Sequence, residues 1–197
     1  MIGARITAIG TYVPEKKLTN FELEQMVETN NEWIIQRTGI HERRITHPDE
    51  FTSDLCVSAV KDLMHRYNKE VKDVDMIIVA TSTPDLPFPS VSSIIQDQLN
   101  ISQTGAIDLS AACAGFVYAV HTAHSLISSG LHKKVLVIGA DTLSKITIPL
   151  ALDLGIRKGK VKNGDRVLMY GFGSGLVHAG QLLELNFDEQ INTPTPL

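Results

Sequence analysis

Cysteine is scarce in this chain. Its two copies in 197 residues, Cys56 and Cys113, stand in no metal-ligand spacing. A reducing cytoplasm is the natural setting, so each thiol is judged on its own surroundings. Long apolar runs are missing too: none approaches the ~18 residues needed to cross a bilayer, which predicts no membrane association. The opening residues, Met1-Ile2-Gly3-Ala4-Arg5, lack the basic-then-apolar layout of a secretory leader. No excess of positive charge exists. The formal net charge is -4, which argues against non-specific binding to nucleic acid. No short internal repeat is visible. What remains is ordinary for a globular protein, with 43% hydrophobic and 20% charged residues. The length suffices for one substantial α/β domain with a real core.

The hydrophobic pattern supports that class. Residues 4–9 alternate apolar and polar like a half-buried strand, closed by Gly10 and Pro14. Thr19 or Asn20 can cap a short helix running through Val27. Residues 29–45 show no clean period. Thr52 or Ser53 can cap the next helix, whose buried stripe includes Cys56, Val60, Leu63 and Tyr67. Met76–Ala80 is continuously apolar, as a central parallel strand is. A Pro-rich loop follows at 84–89, then a helix over 90–99. Residues 105–109 read as a strand, 114–129 as a helix ended by Gly130, and 135–139 as another buried strand. The alternation of strands and helices predicts a mixed, mostly parallel layered sheet. Beyond it, 149–158 reads as a helix and Lys162-Asn163-Gly164-Asp165 as a turn. Residues 166–170 form a strand, 171–175 a glycine-rich turn and 176–185 a last strand. Three segments follow: 1–147, 148–186, and a polar tail over 187–197.

Cys113 stands where a strand ends and a helix begins. The start of a helix offers free N–H groups and partial positive charge, which favour a thiolate nucleophile. Ala111, Ala112, Ala114 and Gly115 are small enough to let a thioester approach. The N–H of Cys113 can help hold an oxyanion. A buried structural cysteine fits the same residues, and spacing alone leaves both roles open. Cys56, on an apolar helical stripe, reads as core.

The stretch Asp108-Leu109-Ser110-Ala111-Ala112-Cys113-Ala114-Gly115-Phe116 resembles the nucleophile segment of β-ketoacyl-ACP synthase III, a thiolase-like condensing enzyme. The resemblance extends over almost all of residues 1–147. It includes Asn30-Asn31-Glu32-Trp33-Ile34, Arg37-Thr38-Gly39-Ile40, Pro87-Phe88-Pro89-Ser90 and Gly139-Ala140-Asp141-Thr142. Residues 149–185 resemble that family's extreme C-terminus. The resemblance implies an acyltransferase that starts fatty-acid synthesis in the cytoplasm. Cys113 would take an acyl group from acyl-CoA and pass it to malonyl-ACP, with loss of CO2. No permanent cofactor or metal is implied; acyl-CoA is a substrate and acyl carrier protein a partner. By position, Trp33 and Arg37 match residues that hold the CoA adenine and phosphates, with Thr29 nearby. Phe88 matches a residue inserted into the partner subunit's acyl pocket, and a homodimer through the strand before Cys113 is implied. Ser174 matches a position whose backbone N–H completes the oxyanion hole.

The likeness breaks at residues 146–149. There the N-terminal half joins directly to the family's C-terminal end, so the thiolase-like fold is expected to be incomplete. The segments that hold the family's His and Asn partners of the cysteine have no counterpart, and none of the seven histidines stands in their context. Acylation without efficient condensation, or CoA binding alone, is the alternative this implies.

Overall fold

The computed structural model describes residues 3–142, 148–173 and 177–188. In chain order the elements are β1 (Lys17–Thr19), α1 (Asn20–Glu24), α2 (Asn31–Thr38), β2 (Glu42–Arg44), α3 (Thr52–Tyr67), β3 (Met76–Ala80) and α4 (Val91–Gln98). Then come β4 (Gly105–Leu109), a 3-10 turn (Ala112–Ala114), α5 (Gly115–Ser128), β5 (Val135–Gly139), α6 (Ile148–Arg157), β6 (Arg166–Gly173) and β7 (Val177–Glu184).

β3 organises the molecule. It lies between β4 and β5 in a three-stranded sheet, parallel to both, with Met76 opposite Gly105 and Val135. All five of its residues are buried. Alternation sends Ile77 and Val79 to one face, where they pack with Cys56, Val60, Ile95 and Leu136. Met76, Ile78 and Ala80 go to the other, against Ala119 and Ala123 of α5. A strand covered on both faces has no polar side to show, which is why its sequence is apolar without interruption. Each of Ile77, Ile78 and Val79 contributes about 1.5–3 kcal/mol by burial.

Several expectations hold closely. α3, α4, α5, α6 and the turn at 162–165 fall where the periodicity puts them. In that turn Gly164 has φ 85°, and the Asp165 carboxylate accepts the Lys162 N–H at 2.8 Å. Others need correction. Residues 4–9 make no strand ladder among the described residues. Among the described residues the one backbone bond they make is from the Asp188 N–H to the Thr7 carbonyl at 2.8 Å, so alternation found a partly buried face without a described strand beside it. Neither Thr52 nor Ser53 is the cap of α3 as expected, since both lie inside the helix: Phe51 holds the cap position, with its N–H taken by the Asp54 carboxylate, while the Thr52 hydroxyl turns to the Thr83 carbonyl. Residues 171–173, expected to open a glycine-rich turn, continue β6, and β7 begins at Val177; the rest of the expected turn lies outside the described residues. The segment junction at 143–147 and the tail from 189 lie outside the described residues.

The aperiodic stretch 29–45 holds a helix and a strand. Asn30 caps α2 through the Trp33 N–H, and Gly39 ends it at φ 70°. β2 pairs with β1. Their joint is Asn20, which is fully buried. Its amide donates to Asn31 Oδ1 (3.0 Å) and the Ile40 carbonyl (2.8 Å) and accepts from Arg43 (2.9 Å). Thr19, not Asn20, supplies the cap of α1, in a capping box with Glu22. The Thr19 N–H, helped by its hydroxyl, holds the Glu22 carboxyl below its usual range. Asn20→Ala is expected to cost ~1–3 kcal/mol by stranding these partners. It should also loosen α2, which the anisotropy of the single tryptophan, Trp33, will report.

α6 is joined to the N-terminal half by buried charge. Arg66 and Asp153 are each 0% exposed and Asp62 is 4% exposed. Arg66 Nη1 lies 3.3 Å from Asp62 and its Nη2 2.9 Å from Asp153 Oδ1. Arg157 Nε meets Asp153 Oδ2 at 2.6 Å, and the Thr11 hydroxyl donates to the same oxygen at 2.7 Å. The Thr11 N–H donates to Asp62 at 2.8 Å. Two carboxylates and two guanidiniums thus balance, with Arg157 the member partly open to solvent. The fit is imperfect: the Arg66–Asp153 contact is an ion pair off the hydrogen-bonding angle, and Arg66 Nε has no hydrogen-bond acceptor among the described residues.

β6 and β7 form an antiparallel hairpin running from Arg166 opposite Glu184 to Gly173 opposite Val177. Met169, Ala179 and Leu183 on its inner face pack with Val117 and Val120 of α5. A lone hairpin is marginal in water, so this packing is what holds it in place.

Candidate active site

Three strands run parallel, so their C-terminal ends share one edge of the sheet. The loop after β3 is fixed there by Asp141, just beyond β5. Its carboxylate accepts the Ser82 N–H at 2.7 Å and lies 3.3 Å from the Thr81 hydroxyl. Thr83 Oγ1 accepts the Thr142 N–H at 3.0 Å. Asp85 accepts the Ser53 N–H at 3.0 Å, tying the Pro-rich loop to α3. On β4, Asp108 accepts the N–H groups of Val91 and Ser92 at 2.8 and 2.9 Å, holding the start of α4.

Cys113 follows β4 at this same edge, in the 3-10 turn that leads into α5, and is exposed. The residue before it, Ala112, has φ 45°, a left-handed conformation costly for a side chain with a Cβ. Ala114 and Gly115 behind it are buried, and Gly115 sits against Ala80 and Leu109. A sharp strand-to-helix turn with a strained residue thus presents the sulfur outward. β6 closes the other side. A Cβ on Gly171 would lie 2.5 Å from the Cys113 carbonyl oxygen and 2.9 Å from Ala114 Cα. Only glycine lets the hairpin backbone approach so closely.

Cys56 is the opposite case. It is 0% exposed, and burial, then the carboxylates of Asp85, Asp108 and Asp141, push its thiol far above the ordinary range. Iodoacetamide is therefore expected to modify Cys113 in the folded protein and Cys56 only after denaturation. Peptide mass mapping checks this, and equal labelling of both would contradict the burial.

The other expected residues divide into groups. Trp33 and Arg37 lie one helical turn apart on α2, both exposed, with the indole 54% accessible. Thr29 is half-buried, one residue before the Asn30 cap. Phe88 stands out on its loop at 86% exposure. Ser174 lies outside the described residues. Of the histidines, His121 packs edge-on to Tyr118 and His124 contacts Ser128, both along α5. Sequence reasoning missed Asp108 and Asp141 as the groups that fix the loops around the cysteine. Their signal was weak: each is a carboxylate at or just past a strand end, with nothing in the pattern to name its partner.

Comparison with known proteins bears directly on this turn. A model of 3-oxoacyl-[acyl-carrier-protein] synthase III matches residues 107–154, and one of that enzyme's C-terminal part matches 135–185. The β-ketoacyl-[acyl-carrier-protein] synthase III 2 of Halalkalibacterium halodurans is 66% identical over 144 residues, covering 73% of this chain and 43% of that protein. Over most of its length this chain is similar to β-ketoacyl-ACP synthase III. The enzyme of that name from Caldanaerobacter subterraneus subsp. tengcongensis is 43% identical over 181 residues, 92% of this chain and 51% of the relative. The chain thus spans about half the length, or less, of these curated relatives. Among solved structures, the β-ketoacyl-ACP synthase III of Thermus thermophilus superposes with a TM-score of 0.87 at 25% identity, over 93% of this chain and 99% of that one. That of Aquifex aeolicus gives 0.69 at 46% identity, over 72% and 46%. The expected thiolase-like α/β class holds. Its parallel part comprises the three strands β4, β3 and β5.

Proposed function

We propose that the chain is an acyltransferase of the β-ketoacyl-ACP synthase III type, with Cys113 carrying the acyl group between acyl-CoA and malonyl-ACP. One observation carries the reading: an exposed cysteine on a strained turn at the start of a 14-residue helix, with a strand backbone packed against it. Thiolate attack on the acyl-CoA carbonyl would form a C–S bond and a transient oxyanion. Collapse would expel CoA as its thiolate, leaving a thioester on Cys113. The Cys113 N–H is one donor for that oxyanion, and the Ser174 N–H is proposed as the second. Decarboxylation of malonyl-ACP would then supply the carbanion that attacks this thioester and frees the sulfur.

Trp33 and Arg37 are proposed to bind the nucleotide end of CoA, with Thr29 beside them. An exposed indole can stack on adenine, and a guanidinium one turn away can pair with phosphate. A homodimer through β4 is also proposed, with Phe88 reaching the partner's acyl pocket. What supports it is a strand edge with no described partner, Ile107 41% exposed on it, and Phe88 standing free. Residues 1–147 are read as one half of the family's fold and 148–186 as the remnant of the other.

Incubation with acetyl-CoA and malonyl-ACP, followed by mass analysis of the carrier protein, tests the function. Acetoacetyl-ACP that depends on Cys113 supports it. Absence of both product and acyl-enzyme, under conditions where a full-length relative gives both, would refute it.

A further inference from the structure

A cavity of about 340 Å³ lies beside the parallel sheet, away from the turn that carries Cys113. Its walls are unusual. Three unbroken stretches line it, residues 4–10, 134–139 and 181–184, together with side chains such as Ala59, Leu63, Phe116 and Val120. Side chains of an extended chain alternate between two faces. A cavity that touches every residue of such a stretch runs along its edge and meets main-chain N–H and C=O groups.

Two of the three edges have no partner among the described residues. Among the described residues β5 pairs with β3 alone and β7 with β6 alone, and both line the cavity. Unpaired backbone groups set among mainly apolar walls are costly to the extent that water is kept from them. The third stretch is a fixed wall. The Thr11 N–H is bound to Asp62, and the Gly10 backbone is wedged on α3, where a Cβ would lie 2.3 Å from the Ala59 carbonyl. The Thr7 carbonyl is taken by the Asp188 N–H, and Arg5 pairs with Asp188 at 3.8 Å. Tied at both ends, residues 4–10 do not reach across to β5.

We propose that this slot accepts one extended peptide strand supplied in trans. The strand would run between β5 and β7 and join the two sheets into one. Five residues match the length of β5, a span of about 17 Å. The main-chain edges select a peptide over a lipid chain, since only a peptide returns their hydrogen bonds. The volume, near the low end of the ~300–1,000 Å³ usual for ligand pockets, selects small apolar side chains such as Ala and Val. The proposal does not rest on the acyltransferase reading.

The test uses the full chain and a fluorescein-labelled peptide, acetyl-Thr-Val-Ala-Val-Ala-Val-Thr-amide, read by fluorescence anisotropy. Saturable binding is expected, with at least a tenfold loss when alternate peptide nitrogens are methylated. Hydrogen exchange at Val135–Gly139 should slow on binding. Ala59→Leu, which narrows the slot, should weaken the peptide at least tenfold while the circular dichroism stays unchanged. No saturable binding overturns the proposal. So does equal binding of the methylated peptide, unaltered exchange at β5, or displacement by decanoic acid at the concentration of the peptide.

Discussion

Incubated with acetyl-CoA, the protein is expected to gain one acetyl group on Cys113, and Cys113→Ala to gain none. Intact-mass analysis with peptide mapping checks both. The expectation rests on what thioester exchange requires: a reachable sulfur, N–H groups for the oxyanion, and room for the acyl group. Cys113 is exposed, its turn opens α5, and Ala112 and Ala114 beside it are small. Condensation should behave differently. The resemblance to β-ketoacyl-ACP synthase III implies that the segments carrying that family's His and Asn partners have no counterpart here, so the enolate formed on decarboxylation would lack their stabilisation. Removing one such donor typically lowers the rate by ~10²–10³. Condensation by this chain is therefore expected at least about a hundredfold below that of a full-length relative, even where acylation is comparable. Equal condensation rates would mean that another group here does the work of the missing pair. Acetylation that fell mainly on Cys56 would refute the assignment of the nucleophile.

The second large effect concerns stability. Asp153→Ala would leave Arg66 buried with a weaker set of partners, in a place water does not reach. Breaking a buried pair in this way costs ~3–5 kcal/mol. For a chain of this size that corresponds to a fall of about 6–20 °C in Tm. The loss should be greater than that of replacing Asp62, Arg66, Asp153 and Arg157 together by Leu, Met, Leu and Met, since none of the four charges of the network then remains. Thermal unfolding followed by circular dichroism decides between them. If Asp153→Ala changed Tm by less than about 2 °C, under a kcal/mol at this chain length, α6 would not be docked through this network.

Much of the architecture was legible along the chain because each signal is local. Met76–Ala80 is apolar without a break since it is covered on both faces, and α3 and α5 show the stripe of a helix with one buried side. The strand-to-helix turn at Cys113 was equally plain. Legibility failed where a residue's role depends on a distant neighbour. The short α2 lacks an apolar stripe because it buries only Ile34, and just its Asn30 and Gly39 ends mark it. Asn20 looked like a cap, and only its buried contacts with Asn31, Ile40 and Arg43 reveal it as a joint.

By itself the sequence determined the order of strands and helices from α3 onward, the core place of Cys56, and the likeness to β-ketoacyl-ACP synthase III. Periodicity, glycine placement and residue type act over a few positions, so they survive in one dimension. Tertiary structure alone decided that residues 4–9 line a cavity and pair with no strand among the described residues. It alone decided that Asp62, Arg66, Asp153 and Arg157 share one buried network, and that Gly171 lies against Cys113. Those outcomes depend on which segments meet across scores of residues. Hydrogen-bond partners, burial and close backbone approach exist only once the chain has closed on itself.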